Sequence, residues 1–163
     1  MADSALTGLT ATTTLTDDDL LYVVDGVNSR KITWANVLAA VNTQQTETLI
    51  VAASDETTDL TTGAAKVTFR MPYAFTVTEV RASLTTAATG ATFACDINEA
   101  GVSILSTVLT LDTGEKTSTT AATPAVISDG ALADDAEMTV DIDVVGATIA
   151  GAGLKVYIIG SQL

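Results

Sequence analysis

The stretch EMTVDIDVV, residues Glu137–Val145, decides the fold class of this chain. Its apolar side chains fall at every second position, at Met138, Val140, Ile142 and Val144. The polar residues between them, Thr139, Asp141 and Asp143, point to the opposite side of an extended chain. This alternation predicts a β-strand that has one face on a hydrophobic core and the other face in solvent.

Short segments of the same kind occur on both sides of this stretch, and turn residues separate them. We predict further strands at Thr48–Ala53, Ala65–Arg70, Phe75–Leu84, Ala91–Asn98, Val102–Leu105, Thr107–Leu111, Ala125–Ser128 and Leu154–Gly160. Pro72 interrupts one ladder because proline has no backbone N–H to donate, and residues 99–101 predict a hairpin turn. The alternation slips near Glu79 and Val80, where we expect a β-bulge.

Eight or nine strands over residues 46–163 predict an all-β domain. The simplest arrangement is an antiparallel jelly-roll sandwich of eight to nine strands. An immunoglobulin-like sandwich is the alternative, although the Cys and Trp signature of true immunoglobulin domains is missing. Because aromatic residues are only 4% of the chain, the core must be built mainly from Val, Ile, Leu and Ala.

The stretch LTDDDLLYVVDGVNSRKITWANVLAAV, Leu15–Val41, lies before the domain and has a different organisation. An acidic turn leads into an apolar strand at Leu20–Val24. The Asp-Gly pair at positions 25–26 predicts a tight turn, because such a pair tolerates the positive φ angles that a reversal needs. A second strand then returns over residues 28–32.

Thr33 is suited to cap one short helix, which we place from about Trp34 to Val41. The spacing of the helix's apolar residues predicts one continuous stripe. Residues 1–45 have too few apolar side chains to fold alone, so we expect an extended N-terminal attachment arm that docks on a larger partner. The residues predicted to bind that partner are Leu20, Leu21, Tyr22, Val23, Val24, Arg30, Lys31, Trp34, Val37, Leu38 and Val41. Packing of the arm on its own domain is the alternative.

The order of these pieces resembles the N-terminal attachment segment of fibre and head-fibre proteins of tailed bacteriophages. The likeness covers roughly residues 7–42, with a Thr/Ala-rich leader, then Leu-Leu-Tyr-Val-Val-x-Gly, then Asn-Ser-Arg-Lys-Ile-Thr and a short helix. The domain is similar in strand spacing and composition to the β-sandwiches of phage virion proteins. The resemblance implies a capsid-attached decoration or short head-fibre protein, anchored on the major capsid protein or another virion protein. A short tail-fibre or adaptor subunit is the alternative, which the lack of a repetitive shaft disfavours.

The charge of the chain limits its partners. It has 20 acidic and 7 basic residues, a net charge of −13, and no histidine. Clustered Lys and Arg are missing, so we expect neither nucleic acid nor an anionic membrane surface as a partner. The adjacent basic pair Arg30-Lys31 suits an acidic patch on the attachment partner, or is a solvated strand end. Without a signal peptide or an apolar run of about 20 residues, we expect assembly in the host cytoplasm and residence in the virion.

The residues predict neither an enzyme nor a bound cofactor. Histidine, the commonest general base and transition-metal ligand, is absent. Cys95 alternates with Phe93 and Ile97, so we expect it to be a small buried hydrophobe. Asp141 and Asp143, about 7 Å apart on one strand, have a spacing compatible with a glycosidase pair, but solvated acids are the expectation in so acidic a chain. Calcium is the one cation that clustered carboxylates and loop carbonyls suit.

A carbohydrate-binding module is the alternative function from a different class, because β-sandwiches often bind glycans through surface aromatic residues. Tyr73, Phe75 and Tyr157 are the candidates, and we expect Phe75 and Tyr157 to lie in the core instead. A host surface glycan is therefore a further partner left open. The aromatic-poor core and the Ala/Thr-rich faces favour side-by-side packing of subunits, and we expect a homotrimer.

Overall fold

A computed structural model describes residues 15–16, 18–25, 28–42 and 45–162 of the 163-residue chain. The chain divides into two compact units, Met1–Gln44 and Gln45–Leu163. The secondary structure of both units is dominated by antiparallel strands. The all-β prediction is therefore confirmed.

The N-terminal unit contains a β-hairpin that is followed directly by a helix. Strand β1 (Leu20–Asp25) pairs antiparallel with β2 (Asn28–Thr33), and helix α1 spans Trp34–Asn42. Each element extends one residue beyond the end predicted for it. The predicted leader at residues 1–14 and the glycine of the predicted Asp-Gly turn lie outside the described residues.

Short-range polar contacts fix the ends of these elements. The side-chain oxygen of Thr33 accepts a hydrogen bond from the backbone N–H of Asn36 at 3.3 Å, so its predicted capping role is confirmed. Before β1, the carboxylate of Asp19 accepts the backbone N–H of Thr16 at 2.6 Å, and the N–H of Asp19 donates to the carbonyl of Thr16. The acidic turn is thus held by its own side chain.

The domain contains eleven strands, several of them short. The first are β3 (Glu47–Ala52), β4 (Gly63–Arg70), β5 (Phe75–Ser83) and β6 (Phe93–Glu99). The others are β7 (Val102–Ser103), β8 (Leu105–Thr107), β9 (Leu109–Leu111), β10 (Val126–Ile127), β11 (Ala131–Leu132), β12 (Glu137–Val144) and β13 (Lys155–Gln162). The predicted strands are all present in part. Strand β8 spans the junction of two predicted strands, and β11 was not predicted.

Two antiparallel sheets organise these strands. Sheet I has the order β11-β5-β13-β3, and sheet II has the order β4-β12-β6-β7 with β9 also paired to β6. Strands β8 and β10 form a separate pair. A single cluster of buried side chains includes residues from both sheets, among them Phe75, Val80 and Ile158 of sheet I and Phe93 and Met138 of sheet II. The sheets therefore share one core.

The inward face of β12 is as predicted at Met138, Val140 and Ile142, which are all buried. The prediction is wrong at Val144, whose side chain is 40% exposed. The register against β6 shifts between Ile142 and Val144, because a bulge adds one residue to β12. Val145 packs against the core instead.

A second bulge lies in β5, close to its predicted position. The register against β13 shifts between the pairs Glu79–Ile159 and Val77–Gly160. Thr78 is therefore the extra residue, one position before the predicted bulge. Unbroken alternation would place Glu79 on the buried face of Val77. Because of the bulge, Glu79 is exposed instead.

Candidate functional site

The predicted attachment residues lie on three consecutive elements of the N-terminal unit. Leu20–Val24 belong to β1, Arg30 and Lys31 to β2, and Trp34, Val37, Leu38 and Val41 to α1. The hairpin register pairs Tyr22 with Lys31 and Val23 with Arg30. The two basic side chains are both exposed, so the structure brings a basic strand next to an apolar one.

The apolar stripe of α1 is covered only at its start. Trp34 and Val37 are half-buried, whereas Leu38 is 39% and Val41 is 46% exposed. The backbone N–H of Trp34 donates to the carbonyl of Asp19 at 2.8 Å, which ties the first turn of the helix to the acidic turn before β1. The far half of the stripe is accessible, as is Leu20 on β1, which is 56% exposed.

A groove that the sequence did not predict runs along β5 in the domain. At one end of its outer edge β5 pairs with β11. At the other end the N–H of Ala82 donates to the hydroxyl of Ser118 at 2.9 Å and that of Leu84 to the carbonyl of Lys116 at 3.0 Å. Between these contacts the edge opens into a cavity of about 590 Å³.

The lining of this cavity mixes polar and apolar residues. Strand β5 contributes residues 78–81, including Glu79 and Arg81, and the rest of the lining consists of Ser118 and Thr119 and of apolar residues that include Leu109 and Ile127. A second cavity of about 360 Å³ is also lined by Arg81, together with Tyr157 and Ile159. Thr119 lines both cavities as well, so they meet along β5 and form one surface, which we call the β5 groove.

A bidentate ion pair lies in the β5 groove. The Nε of Arg81 donates to Glu79 Oε1 at 2.6 Å, and Nη2 donates to Oε2 at 2.9 Å. Both side chains are about half exposed, with 47% of each accessible. These hydrogen bonds lower the pKa of Glu79 and raise the pKa of Arg81. Glu79 and Arg81 share a face because they are two positions apart on β5, and the bulge at Thr78 turns that face outward.

Tyr157 corrects one sequence prediction. It was expected in the core, but it is half-buried and lines the smaller cavity, because Val156 and Ile158 occupy the inward positions of β13. Its hydroxyl shares a hydrogen bond of 3.1 Å with the hydroxyl of Ser83. In the sheet register Tyr157 lies directly between Arg81 of β5 and Ile50 of β3.

The two other candidate aromatic residues pack together at another place. Phe75 is buried, as predicted. Tyr73 is half-buried, its ring centroid lies 6.2 Å from that of Phe75, and its hydroxyl donates to the carboxylate of Glu47. That hydrogen bond raises the pKa of Tyr73. Tyr73 therefore has a structural role at the start of β5.

The two carboxylates on β12 that the sequence analysis considered, Asp141 and Asp143, lie near a third carboxylate, Asp96 on β6. Asp141 pairs directly with Asp96 in the register of the two strands. Asp141 accepts the backbone N–H of Ala65 at 2.7 Å, and Asp96 accepts the hydroxyl of Ser103 at 2.8 Å. Partial burial, followed by the charges of Asp96 and Asp141, raises the pKa of Asp143. In the described part of the chain, no group of three or more acidic or Cys side chains is arranged to hold a metal ion.

Cys95 is fully buried, as predicted from its alternation with Phe93 and Ile97. Burial raises the pKa of its thiol well above the usual range, and the nearby carboxylates add to the effect. The thiol is therefore in the protonated, unreactive form at neutral pH.

No protein family, curated protein or solved structure matches this chain. Among the described residues, none of the helices has the length and apolar character needed to cross a membrane. The assignment of function therefore depends on the two surfaces described above, the open stripe of α1 and the β5 groove.

Proposed function

We propose that this protein is a structural component of a tailed-phage virion, a capsid-attached decoration or short head-fibre protein. Its N-terminal unit anchors it on the major capsid protein or another virion protein, and its domain projects outward. A short tail-fibre or adaptor subunit remains the alternative within the same class.

The observation that carries this proposal is the open apolar surface of the N-terminal unit. Leu38 and Val41 on α1 and Leu20 on β1 are each more than a third exposed, in a unit of only 44 residues. Covering apolar surface with a partner gains about 25 cal/mol of free energy for each Å² that is removed from water. Such a surface is favoured where another chain covers it, and the exposed Arg30 and Lys31 of the same unit suit an acidic partner surface.

The strand pairing of the domain supports its classification as a jelly roll. A jelly roll forms when a long antiparallel hairpin rolls up. Its first strand then pairs with its last strand, its second strand with its second-to-last strand, and so on inward. The pairs β3–β13, β4–β12, β5–β11 and β6–β9 follow this nested order. The pairs β5–β13 and β6–β12 join successive turns of the roll into two sheets.

Substitution of Trp34 in the full-length chain tests the anchoring role. Trp34→Ala is expected to reduce incorporation into particles by weakening the contact about 30-fold, as for a tryptophan interface hot spot, and to leave the melting temperature of the domain unchanged. Copies per purified particle are counted by quantitative gel electrophoresis. Val102→Ala is the control, because Val102 lies on the domain and is 72% exposed.

Normal incorporation of Trp34→Ala would contradict this assignment. If the melting temperature of the domain also falls, Trp34 packs on its own domain. Removal of residues 1–44 extends the test, because the remaining unit is expected to stay folded and soluble and to lose incorporation entirely.

We also propose that the protein is a homotrimer on the particle, since closed symmetry is the rule for soluble oligomers. Exposed apolar side chains on the domain, such as Ile50 with 58% of its surface accessible, support contact between copies. Analytical ultracentrifugation of the full chain measures its mass in solution. A monomer in solution together with isolated single copies on the particle would contradict the trimer.

A further inference from the structure

The β5 groove has the size and chemistry of a site for a small polar ligand. Its two cavities, of about 590 and 360 Å³, fall in the range of ligand-binding clefts. The lining combines the Arg81–Glu79 pair and the hydroxyl-bearing residues Thr78 and Thr119 with apolar residues that include Leu109 and Ile127. Tyr157 adds an aromatic ring where the cavities meet at Arg81. A ligand that fits must itself have both hydroxyl-bearing and apolar surfaces.

The guanidinium of Arg81 is oriented before any ligand arrives. Glu79 occupies its Nε and Nη2, while its Nη1 makes no hydrogen bond to any residue that the structure describes. A planar donor that is already held in place loses little conformational freedom on binding. The free edge of the guanidinium and the carboxylate beside it together offer donors and acceptors to adjacent hydroxyl groups of a ligand.

The charge of the groove favours an uncharged ligand. Glu79 neutralises Arg81 within the pair, so the groove has no unpaired cation to attract a phosphate, sulfate or carboxylate. The chain as a whole has a net charge of −13, which repels anions. A neutral polyhydroxyl compound meets both conditions.

We propose that the β5 groove binds a neutral oligosaccharide. The Arg81–Glu79 pair bonds the hydroxyls of the sugar, and the ring of Tyr157 packs against the apolar C–H face of a pyranose. The hydrogen bond between Tyr157 and Ser83 holds the ring at the edge of the smaller cavity. This site goes beyond the proposed attachment role and is independent of it, because all of its residues lie in the domain.

Titration of the full-length protein with short neutral oligosaccharides of glucose, galactose, mannose and N-acetylglucosamine tests the proposal. Saturation-transfer NMR and calorimetry should detect binding of at least one of them with a Kd of about 1 mM or tighter. Arg81→Gln and Tyr157→Ala should each weaken that binding about tenfold or more. Tyr157→Phe keeps the ring and should retain most of the affinity.

Arg70→Gln is the matched control. Arg70 is also paired with a glutamate, Glu137, at 3.2 Å. It lies on β4, the edge strand of sheet II, whereas the groove runs along β5 of sheet I. The substitution should leave the affinity unchanged, and melting curves of every variant separate lost binding from lost folding. The proposal is overturned if none of the sugars binds at about 10 mM. It is equally overturned if Arg81→Gln and folded Tyr157→Ala both bind as the wild type does, or if Arg70→Gln loses binding too.

Discussion

Replacement of Gly160 by alanine tests the register shift that turns Glu79 and Arg81 to the outer face of sheet I. Gly160 lies in β13 directly at that shift. A Cβ at this position would overlap the carbonyl oxygen of Thr76 and lie 2.8 Å from its carbonyl carbon and from Cε1 of Phe75. Backbone atoms of a central strand pair cannot move aside as the end of a flexible side chain does, so the two strands must separate locally.

The cost follows from the contacts that this separation disturbs. Loss of one or two ladder hydrogen bonds costs about 1 kcal/mol each, and the forced displacement of the packed Phe75 ring adds about 1–3 kcal/mol. We therefore expect Gly160→Ala to lower the free energy of unfolding by about 2–5 kcal/mol. For a unit of about 120 residues this is a fall in Tm of roughly 8–20 °C, which differential scanning calorimetry of the full chain measures.

Gly114→Ala provides the comparison. A Cβ on Gly114 meets nothing within 4 Å, but its φ of +84° is unfavourable for alanine, so the expected loss is only about 1 kcal/mol. If Gly160→Ala melts within a few degrees of Gly114→Ala, the register at the bulge is not as described, and the outward position of Glu79 loses its explanation.

Three further predictions follow from single side chains. Asp143→Asn should stabilise the fold by roughly 0.2–1 kcal/mol at about pH 7. The gain should shrink toward about pH 4, because the pKa of Asp143 is raised in the folded state and the wild-type carboxylate is protonated there as the pH falls. Urea titrations at both pH values check this, with Asp134→Asn, expected to be neutral, as the control. Ala100→Asn should add about 1 kcal/mol, since Ala100 has φ +48° in a hairpin turn and asparagine tolerates that conformation; an equal gain in Ala147→Asn would refute the argument. Cys95 should react with an aromatic disulfide reagent only after unfolding in urea, because burial shields the thiol and raises its pKa; rapid labelling of the native protein would contradict this.

Local chemistry explains why the elements of the N-terminal unit were predicted within one residue. The cap at Thr33 is a contact between residues three positions apart, and the ends of β1 and β2 are set by a short connection. Interactions of such short range depend on little beyond the neighbouring sequence. The exposure of the α1 stripe, by contrast, is a property of the folded unit and needed the structure.

Alternation predicted the strands wherever it was unbroken, and it failed where apolar residues are adjacent. In the sequence of β12 both Val144 and Val145 are apolar, so the pattern does not show which one turns inward after the bulge. In β13 the run from Val156 to Ile159 is entirely apolar or aromatic, which left the outward position of Tyr157 undetermined. The β5 groove depends on both this position and the bulge at Thr78, and for that reason the sequence did not reveal it.

The most direct test of the attachment proposal is a reconstruction, at side-chain resolution, of a particle that carries this protein. We predict that the α1 stripe, with Trp34, Leu38 and Val41, is buried against another virion chain while the β5 groove faces solvent. The account is contradicted if the domain makes the contact with the particle and the stripe of α1 is open to solvent.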